Sequence, residues 1–232
     1  MNGQIPNCSL DALFGDPTKP LDTKKYSDCQ IIIIGTQECE KSLEKSLIFK
    51  SNKSWEQIID TNFGKHFDRL KTESLMGLHM IILIRKSFRN HVHDEKSCRL
   101  ATGIGNVIGN KGAVGISFMV DDTSFLFVNA HLSAHEGKTK FRNKDYNRIN
   151  LNLPLTGYRQ KDQQKKSISD RFDHCFFFGD LNYRIDLTRP VTSYYAMMNY
   201  YVNVVMETSL KGIKNHPFIS IQHTNLIQVN LN

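Results

Sequence analysis

The stretch "FFFGDLNYRIDL", residues 176–187, decides how the chain is read. A run of aromatics stops at Gly179. An acid, an amide, a phenol and a guanidinium then follow in close order: Asp180, Asn182, Tyr183 and Arg184. With the residues before it, "HCFFFGDL" (174–181) reads as a buried strand. Strands of an open α/β sheet deliver functional groups where they end, because side chains there face a crevice instead of a core. Asp180 and Asn182 are two apart, so an extended chain projects both to one side. A carboxylate that binds or activates water would then share a pocket with an orienting amide.

Four more segments read as strands. "CQIIIIGTQE" (29–38), "GLHMIILIRK" (77–86), "AVGISFMV" (113–120) and "SFLFVNAHL" (124–132) are nearly continuous apolar runs. Strands of that kind are covered on both faces, as in a layered α/β protein. The last two are joined by Asp121-Asp122-Thr123, which reads as a hairpin. Between the strands lie two helical patterns. Residues 54–67 carry Ser54 as an N-cap with Gln57 three residues later, the spacing of a capping box. Residues 140–153 form a polar helix with Phe141, Tyr146 and Ile149 at irregular spacing. Residues 156–171 are charged and aperiodic, and read as a solvated loop. Beyond Leu187 the composition shifts to Asn, Tyr, Val and Thr, with room for a helix over 191–210 and a strand over 216–222.

Two other strands also end in polar groups, Thr36-Gln37-Glu38 and Asn129-Ala130-His131. Glu38 is a hard oxygen ligand of the type Mg²⁺ prefers. His131 is a donor suited to charge on a phosphoryl oxygen. Taken one at a time, each is equally a capped or exposed strand end. "TGIGNVIGNKGAVGISF" (102–118) places Gly103, Gly105, Gly109 and Gly112 around Lys111. Such glycines permit close approach to an anion; the plain alternative is a turn with a solvent-facing lysine. The stretch is no Walker A loop, lacking Gly-Lys-Ser/Thr, and no dinucleotide fingerprint, since a strand follows it. His131 and His135 stand at i and i+4, but Leu132 occupies the place where a zinc protease carries glutamate. Arg142 and Arg148 fit a solvated helix face.

Composition narrows the class. The chain has 232 residues, 40% hydrophobic and 23% charged, which suffices for one large core and excludes disorder throughout. Lys and Arg number 30 against 23 Asp and Glu, a net charge of +7. That balance suits an anionic partner, whether nucleic acid, a phospholipid surface or a polyphosphorylated small molecule, and equally suits plain solubility. The five cysteines, Cys8, Cys29, Cys39, Cys98 and Cys175, show no C-x-x-C spacing, so neither a disulfide framework nor a zinc cluster is expected. That pattern suggests a reducing, intracellular compartment. Residues 1–15 show no secretory signal, and the longest aliphatic run, Ile31–Ile34, is too short to span a bilayer.

With "GNKGAVGISF" (109–118), "FVNAHLSAH" (127–135) and "RFDHCFFFGDLNYRIDL" (171–187) in place, the chain resembles the inositol polyphosphate 5-phosphatase family. Its texture is closest to the SH2-containing branch, and the blocks match over roughly residues 1–188. The resemblance implies an α/β fold of the deoxyribonuclease-I-like type, two packed β-sheets flanked by helices, incomplete here at both ends. It implies Mg²⁺-dependent removal of the 5-phosphate from phosphatidylinositol 4,5-bisphosphate, phosphatidylinositol 3,4,5-trisphosphate or soluble inositol phosphates. Asp180, Asn182 and His131 match the catalytic positions, with Asp180 the water-activating group. Glu38 and Asn2 match the metal-binding positions. Asn110, Lys111, Arg142, Tyr183 and Arg184 match residues that line or support the headgroup site.

Departures accompany the match. The chain opens "MNGQIP", in the middle of the family's first block, and residues 188–232 lack the family's later threonine-tyrosine-lysine, tryptophan-cysteine-aspartate-arginine and serine-aspartate-histidine blocks. The expectation is therefore a partial catalytic domain at 1–188 and a divergent tail at 189–232. The alternative to a working enzyme is a catalytically impaired relative that binds phosphoinositide or a protein partner. A nuclease of the same fold class is disfavoured by "GNKGAV" and "GDLNYR", so no nucleic-acid partner is expected. The partners implied are phosphoinositide headgroups at a membrane surface or soluble inositol polyphosphates. The implied location is the cytoplasm, with peripheral contact at the cytosolic membrane face.

Overall fold

The computed structural model describes residues 29–38, 53–103, 111–158, 167–183, 205–207 and 224–230. Its centre is β1 (Ile31–Thr36), buried along its whole length. Four consecutive isoleucines need cover on both faces, and β1 obtains it at the middle of a sheet. It pairs antiparallel with β3 (Leu78–Arg85) on one side and with β9 (Thr224–Asn230) on the other. β2 (Phe67–Leu75) and β8 (Val205–Glu207) complete the order β2-β3-β1-β9-β8. The second sheet runs β4-β5-β6-β7, formed by β4 (Val92–Ala101), β5 (Gly112–Val120), β6 (Thr123–His131) and β7 (His174–Asp180).

Alternation along each strand builds the layers. Ile31 and Ile33, Met80 and Ile82, Ile116 and Phe118, Phe125 and Phe127, and Phe176 and Phe178 all point into the gap between the sheets and form one core. The intervening residues face outward. On the first sheet, Ile32, Ile34, Ile81 and Leu83 receive Trp55, Ile59 and Phe63 from α1 (Lys53–Phe63). Each such side chain contributes about 2 kcal/mol when fully buried. On the second sheet, Leu126, Val128 and Phe177 receive Ile149 from α2 (Thr139–Asn152) and Ile168 from α3 (Ile168–Arg171). The result is a helix–sheet–sheet–helix sandwich, as the resemblance implies.

Several local expectations need correction. α1 ends at Phe63, not at 67: the Gly64 amide makes the last helical bond, to Asp60 O at 2.8 Å, the His66 amide turns to Phe63 O at 3.0 Å, and Phe67 already opens β2. It also begins one residue before Ser54, the expected cap. The expected loop over 156–171 closes with α3, while 159–166 lie outside the described residues. Within the expected helix over 191–210, residues 205–207 form β8; the rest of that span and the expected strand over 216–222 lie outside the described residues. β2 and β4 have no counterpart in the sequence reading. Both are partly exposed and polar, so no apolar run announces them. The Asp121-Asp122 hairpin is as expected: Val120 pairs with Thr123 across it.

The arrangement places the site through one pairing. β6 and β7 are parallel neighbours, with Ala130 opposite Gly179 and His131 opposite Asp180. Two parallel strands finish at the same edge, so their final polar residues arrive together.

Candidate active site

Gly179 makes that register possible. Its φ is +123°, and a Cβ there would lie 2.1 Å from Ala130 O. Only glycine lets β7 run this close to β6 where His131 meets Asp180. The chain then turns sharply. Leu181 N donates to Gly179 O at 3.1 Å, and Asn182 adopts a left-handed φ of +55°. Asn182 N donates to Asp180 Oδ1 at 3.1 Å, an Asx-type turn. Asn182 Nδ2 donates to Leu132 O at 3.0 Å, while Leu132 N donates to Asp180 O at 3.0 Å. Asp180 and Asn182 thus share one side, but not by strand alternation as the spacing suggests. β7 ends at Asp180, and a turn anchored to the neighbouring strand carries Asn182 back.

His131 is buried, with Nε2 3.4 Å from Asp180 Oδ2 and 2.5 Å from Lys111 Nζ. The lysine ammonium only donates, so Nε2 accepts and the ring is the neutral Nδ1–H tautomer. Burial and the Lys111 charge bring the His131 pKa down to about 4, against the opposing pull of Asp180 and Glu38. Lys111 arrives because Gly112, the first residue of β5, pairs with His131. Burial lowers the Lys111 pKa, and the carboxylates of Asp180, Glu38 and Asp145 oppose that shift. The donor at this site is therefore the lysine ammonium, with the imidazole as its acceptor.

Glu38 follows β1 on the other sheet, exposed and with a φ of +53°. It acts electrostatically on both Lys111 and His131. Among the described residues, no group of three or more His, Cys, Asp and Glu side chains is placed to hold a metal. Glu38 and Asp180 remain as two carboxylates whose shared field already draws the Lys111 ammonium. That donor set fits a hard dication which keeps several waters and takes substrate oxygens as its other ligands.

Arg142 departs from the solvated helix face expected of it. Arg142 is buried: Nη1 donates to His135 O at 2.9 Å and Ser133 O at 3.3 Å, and Nη2 to Thr139 Oγ1 at 3.0 Å. Its guanidinium also lies over the Tyr183 ring, 5.4 Å from the centroid. Asp145, one turn along α2, accepts from Ser133 N at 3.0 Å and Ser133 Oγ at 2.6 Å. Together they hold the loop after β6 against α2. Tyr183 is exposed and donates through its hydroxyl to Asn143 Oδ1 at 2.6 Å. His135 is exposed and lends the site only its carbonyl. Asn2, Asn110 and Arg184 lie outside the described residues.

Sequence reasoning passed over Gln37 and Asn129 as functional residues. Asn129 is fully buried, and its Oδ1 accepts from Gln37 Nε2 at 2.5 Å. The available signal was register: Asn129 is two residues before His131, on the inward face of β6.

Comparison with known proteins agrees with this geometry. Residues 1–224 match the sequence profile of endonuclease/exonuclease/phosphatase family 2. The chain is 36% identical over 166 residues to human phosphatidylinositol 3,4,5-trisphosphate 5-phosphatase 1, covering 72% of this chain and 13% of that protein. It is 44% identical over 115 residues to mouse phosphatidylinositol 3,4,5-trisphosphate 5-phosphatase 2, covering 50% of this chain and 9% of that protein. Among solved structures, the inositol polyphosphate 5-phosphatase domain of SPsynaptojanin, in complex with inositol (1,4)-bisphosphate and calcium ion, superposes with a TM-score of 0.60 at 25% identity. That match covers 86% of this chain and 56% of the solved one. A Cimex nitrophorin matches at a TM-score of 0.54 and 15% identity, over 87% of this chain and 64% of its own, and shares the fold alone. One sandwich therefore carries unrelated functions, and only the site residues separate them.

Proposed function

The chain belongs to endonuclease/exonuclease/phosphatase family 2, and from that premise we propose that it acts as a Mg²⁺-dependent inositol polyphosphate 5-phosphatase. Its substrates in this reading are phosphatidylinositol 4,5-bisphosphate, phosphatidylinositol 3,4,5-trisphosphate or soluble inositol phosphates. The observation that carries the reading is the parallel register that brings Asp180 against His131, with Lys111 Nζ 2.5 Å from the imidazole. Similarity to phosphoinositide 5-phosphatases in sequence, and to an inositol phosphate complex in structure, supports it.

In this mechanism Asp180 holds a water and takes its proton as the oxygen attacks phosphorus in line; the bond from phosphorus to the ring 5-oxygen breaks, and that oxygen takes a proton from water and leaves as the inositol hydroxyl. The Lys111 ammonium, oriented by neutral His131, stabilises charge on the phosphoryl oxygens. Asn182 keeps its place through Leu132 O and the Asp180 turn. Glu38, with Asn2 as its sequence-matched companion, would hold Mg²⁺, which would supply further charge neutralisation. Arg142 acts as a positioning residue through the loop at 133–138. All these residues fall within 1–188. No helix among the described residues is long and apolar enough to cross a membrane, and a net charge of +7 supports peripheral attraction to anionic lipid at the cytosolic face.

A second reading, a headgroup-binding relative without turnover, is favoured by residues 188–232, which lack the serine-aspartate-histidine block that the family resemblance leads one to expect. A phosphate-release assay on the purified chain separates the two. Short-chain phosphatidylinositol 3,4,5-trisphosphate is supplied with Mg²⁺ or with EDTA. The enzyme reading expects Mg²⁺-dependent release that disappears in Asp180→Ala. Release no greater than that of Asp180→Ala removes the enzyme reading.

A further inference from the structure

The residues of the candidate site come from both sheets. Glu38 follows β1 on the first; Lys111, His131 and Asp180 stand at the ends of strands of the second. Over most of the gap the sheets meet through apolar side chains. Such packing is non-directional and by itself fixes a polar constellation poorly. At the site end the filling changes. The inward row of β6 runs Phe125, Phe127, Asn129, His131, and Asn129 marks the change from apolar to polar.

Every hydrogen-bonding group of the Asn129 amide is used, and every partner lies on the first sheet or the residue after it. Nδ2 donates to Thr36 O at 3.2 Å, at the end of β1, and to His79 O at 3.0 Å, on β3. Oδ1 accepts from Gln37 Nε2 at 2.5 Å. Thr36 and His79 are themselves partners across the β1–β3 ladder. One side chain from β6 thus grips two strands of the other sheet and the residue adjacent to Glu38. The slot is built for it by two glycines, one from each sheet. A Cβ on Gly35 would lie 3.1 Å from Asn129 Cγ and 2.5 Å from the Phe178 ring, and a Cβ on Gly179 would lie 2.8 Å from Asn129 Oδ1. Aspartate would set a carboxylate oxygen, in place of Nδ2, against two carbonyl oxygens, and glutamine is one methylene too long for the slot.

We propose that Asn129 is a positioning residue that fixes the separation and register of the two sheets at the site, and so places Glu38 against His131 and Asp180. Its catalytic consequence rests on the hydrolase reading; its mechanical consequence does not.

The test uses hydrogen exchange and steady-state kinetics on the full chain. In Asn129→Leu, exchange across residues 35–38 rises at least tenfold over wild type, while residues 81–84 in the middle of β3 stay within twofold. kcat falls at least tenfold with KM within threefold, and calorimetry shows weaker Mg²⁺ binding. Should Asn129→Leu exchange everywhere as an unfolded chain, Gln37→Met removes one tether and leaves Asn129 in place; it then raises exchange across 35–38 at least threefold. Wild-type exchange at 35–38 in the folded variant, or in Gln37→Met, overturns the proposal, as does a wild-type protein whose 35–38 segment is already unprotected. Faster exchange in a chain whose wild type releases no phosphate sinks the hydrolase reading and leaves the clamp standing. Unaltered kcat in a folded Asn129→Leu whose 35–38 segment exchanges faster overturns the placing of Glu38 by Asn129 and leaves the hydrolase reading standing.

Discussion

Gly179→Ala puts the decisive strand register under direct strain. The new Cβ would sit 2.1 Å from Ala130 O, 2.8 Å from Ala130 N and 2.8 Å from Asn129 Oδ1, at a φ of +123°. Two of those three atoms are backbone of the adjacent parallel strand, so no rotamer change relieves them. β7 must draw away from β6 beside the His131–Asp180 pair. That movement gives up a ladder hydrogen bond and leaves buried polar groups unpaired, about 3 kcal/mol together. The positive φ adds about 1–2 kcal/mol for a residue with a Cβ. A total near 4 kcal/mol is a large part of the 5–15 kcal/mol that ordinarily holds a domain folded, by a rough standard. Gly137→Ala is the internal control, since Gly137 has a φ of +70° and nothing within 4 Å of the added carbon. It should lose only the backbone contribution, about 1 kcal/mol. Urea denaturation followed by circular dichroism compares the two. With a slope of about 2 kcal/mol per molar, the Gly179 variant should unfold more than about 1 M below the Gly137 variant. Midpoints within about 0.5 M of each other would refute the claim that this glycine is what lets the two strands meet.

Three further outcomes follow from the site. His131 is held neutral down to about pH 4 in the folded chain, while the unfolded chain takes up its proton near 6.5. Stability at His131 is therefore complete above 6.5 and lost as pH falls towards 4, by up to about 3 kcal/mol; denaturation at pH 7 and pH 5 without metal should show a smaller fall in His131→Gln than in wild type. Lys111→Met removes one cause of that depression, so the His131 titration followed by NMR should move upward from about 4 towards 6.5. Arg142→Lys keeps the charge but cannot serve Ser133 O, His135 O and Thr139 Oγ1 together; a loss of about 2 kcal/mol in denaturation and faster proteolysis within residues 133–138 are expected.

Much of this arrangement is legible in the residues. The long apolar runs at Ile31–Ile34, 78–84, 113–120 and 124–128 needed cover on both faces, and each proved to be a buried strand of a layered sandwich. The polar groups at the ends of β1, β6 and β7 were readable as candidates because side chains at strand ends face a crevice instead of a core; that the ends of two different sheets meet was not. β2 and β4 were not readable. Their sequences, "FDRLKTESL" and "VHDEKSCRLA", occupy outer positions and are shaped by backbone pairing more than by apolar alternation. Arg142 also reads as an exposed helix residue, since its partners are carbonyls of a loop whose path the helix pattern does not specify.

Local order along the chain determined which segments bury both faces, where they stop, and which reactive groups stand at the stops, because burial periodicity and turn chemistry are short-range properties. The tertiary structure alone decided that β6 and β7 lie parallel with His131 beside Asp180, and that Lys111 donates to the imidazole. It alone decided that Asn129 reaches Thr36, 93 residues away in sequence, to join the sheets. Those contacts link segments far apart along the chain, and their geometry is fixed only when both sheets close on a common core.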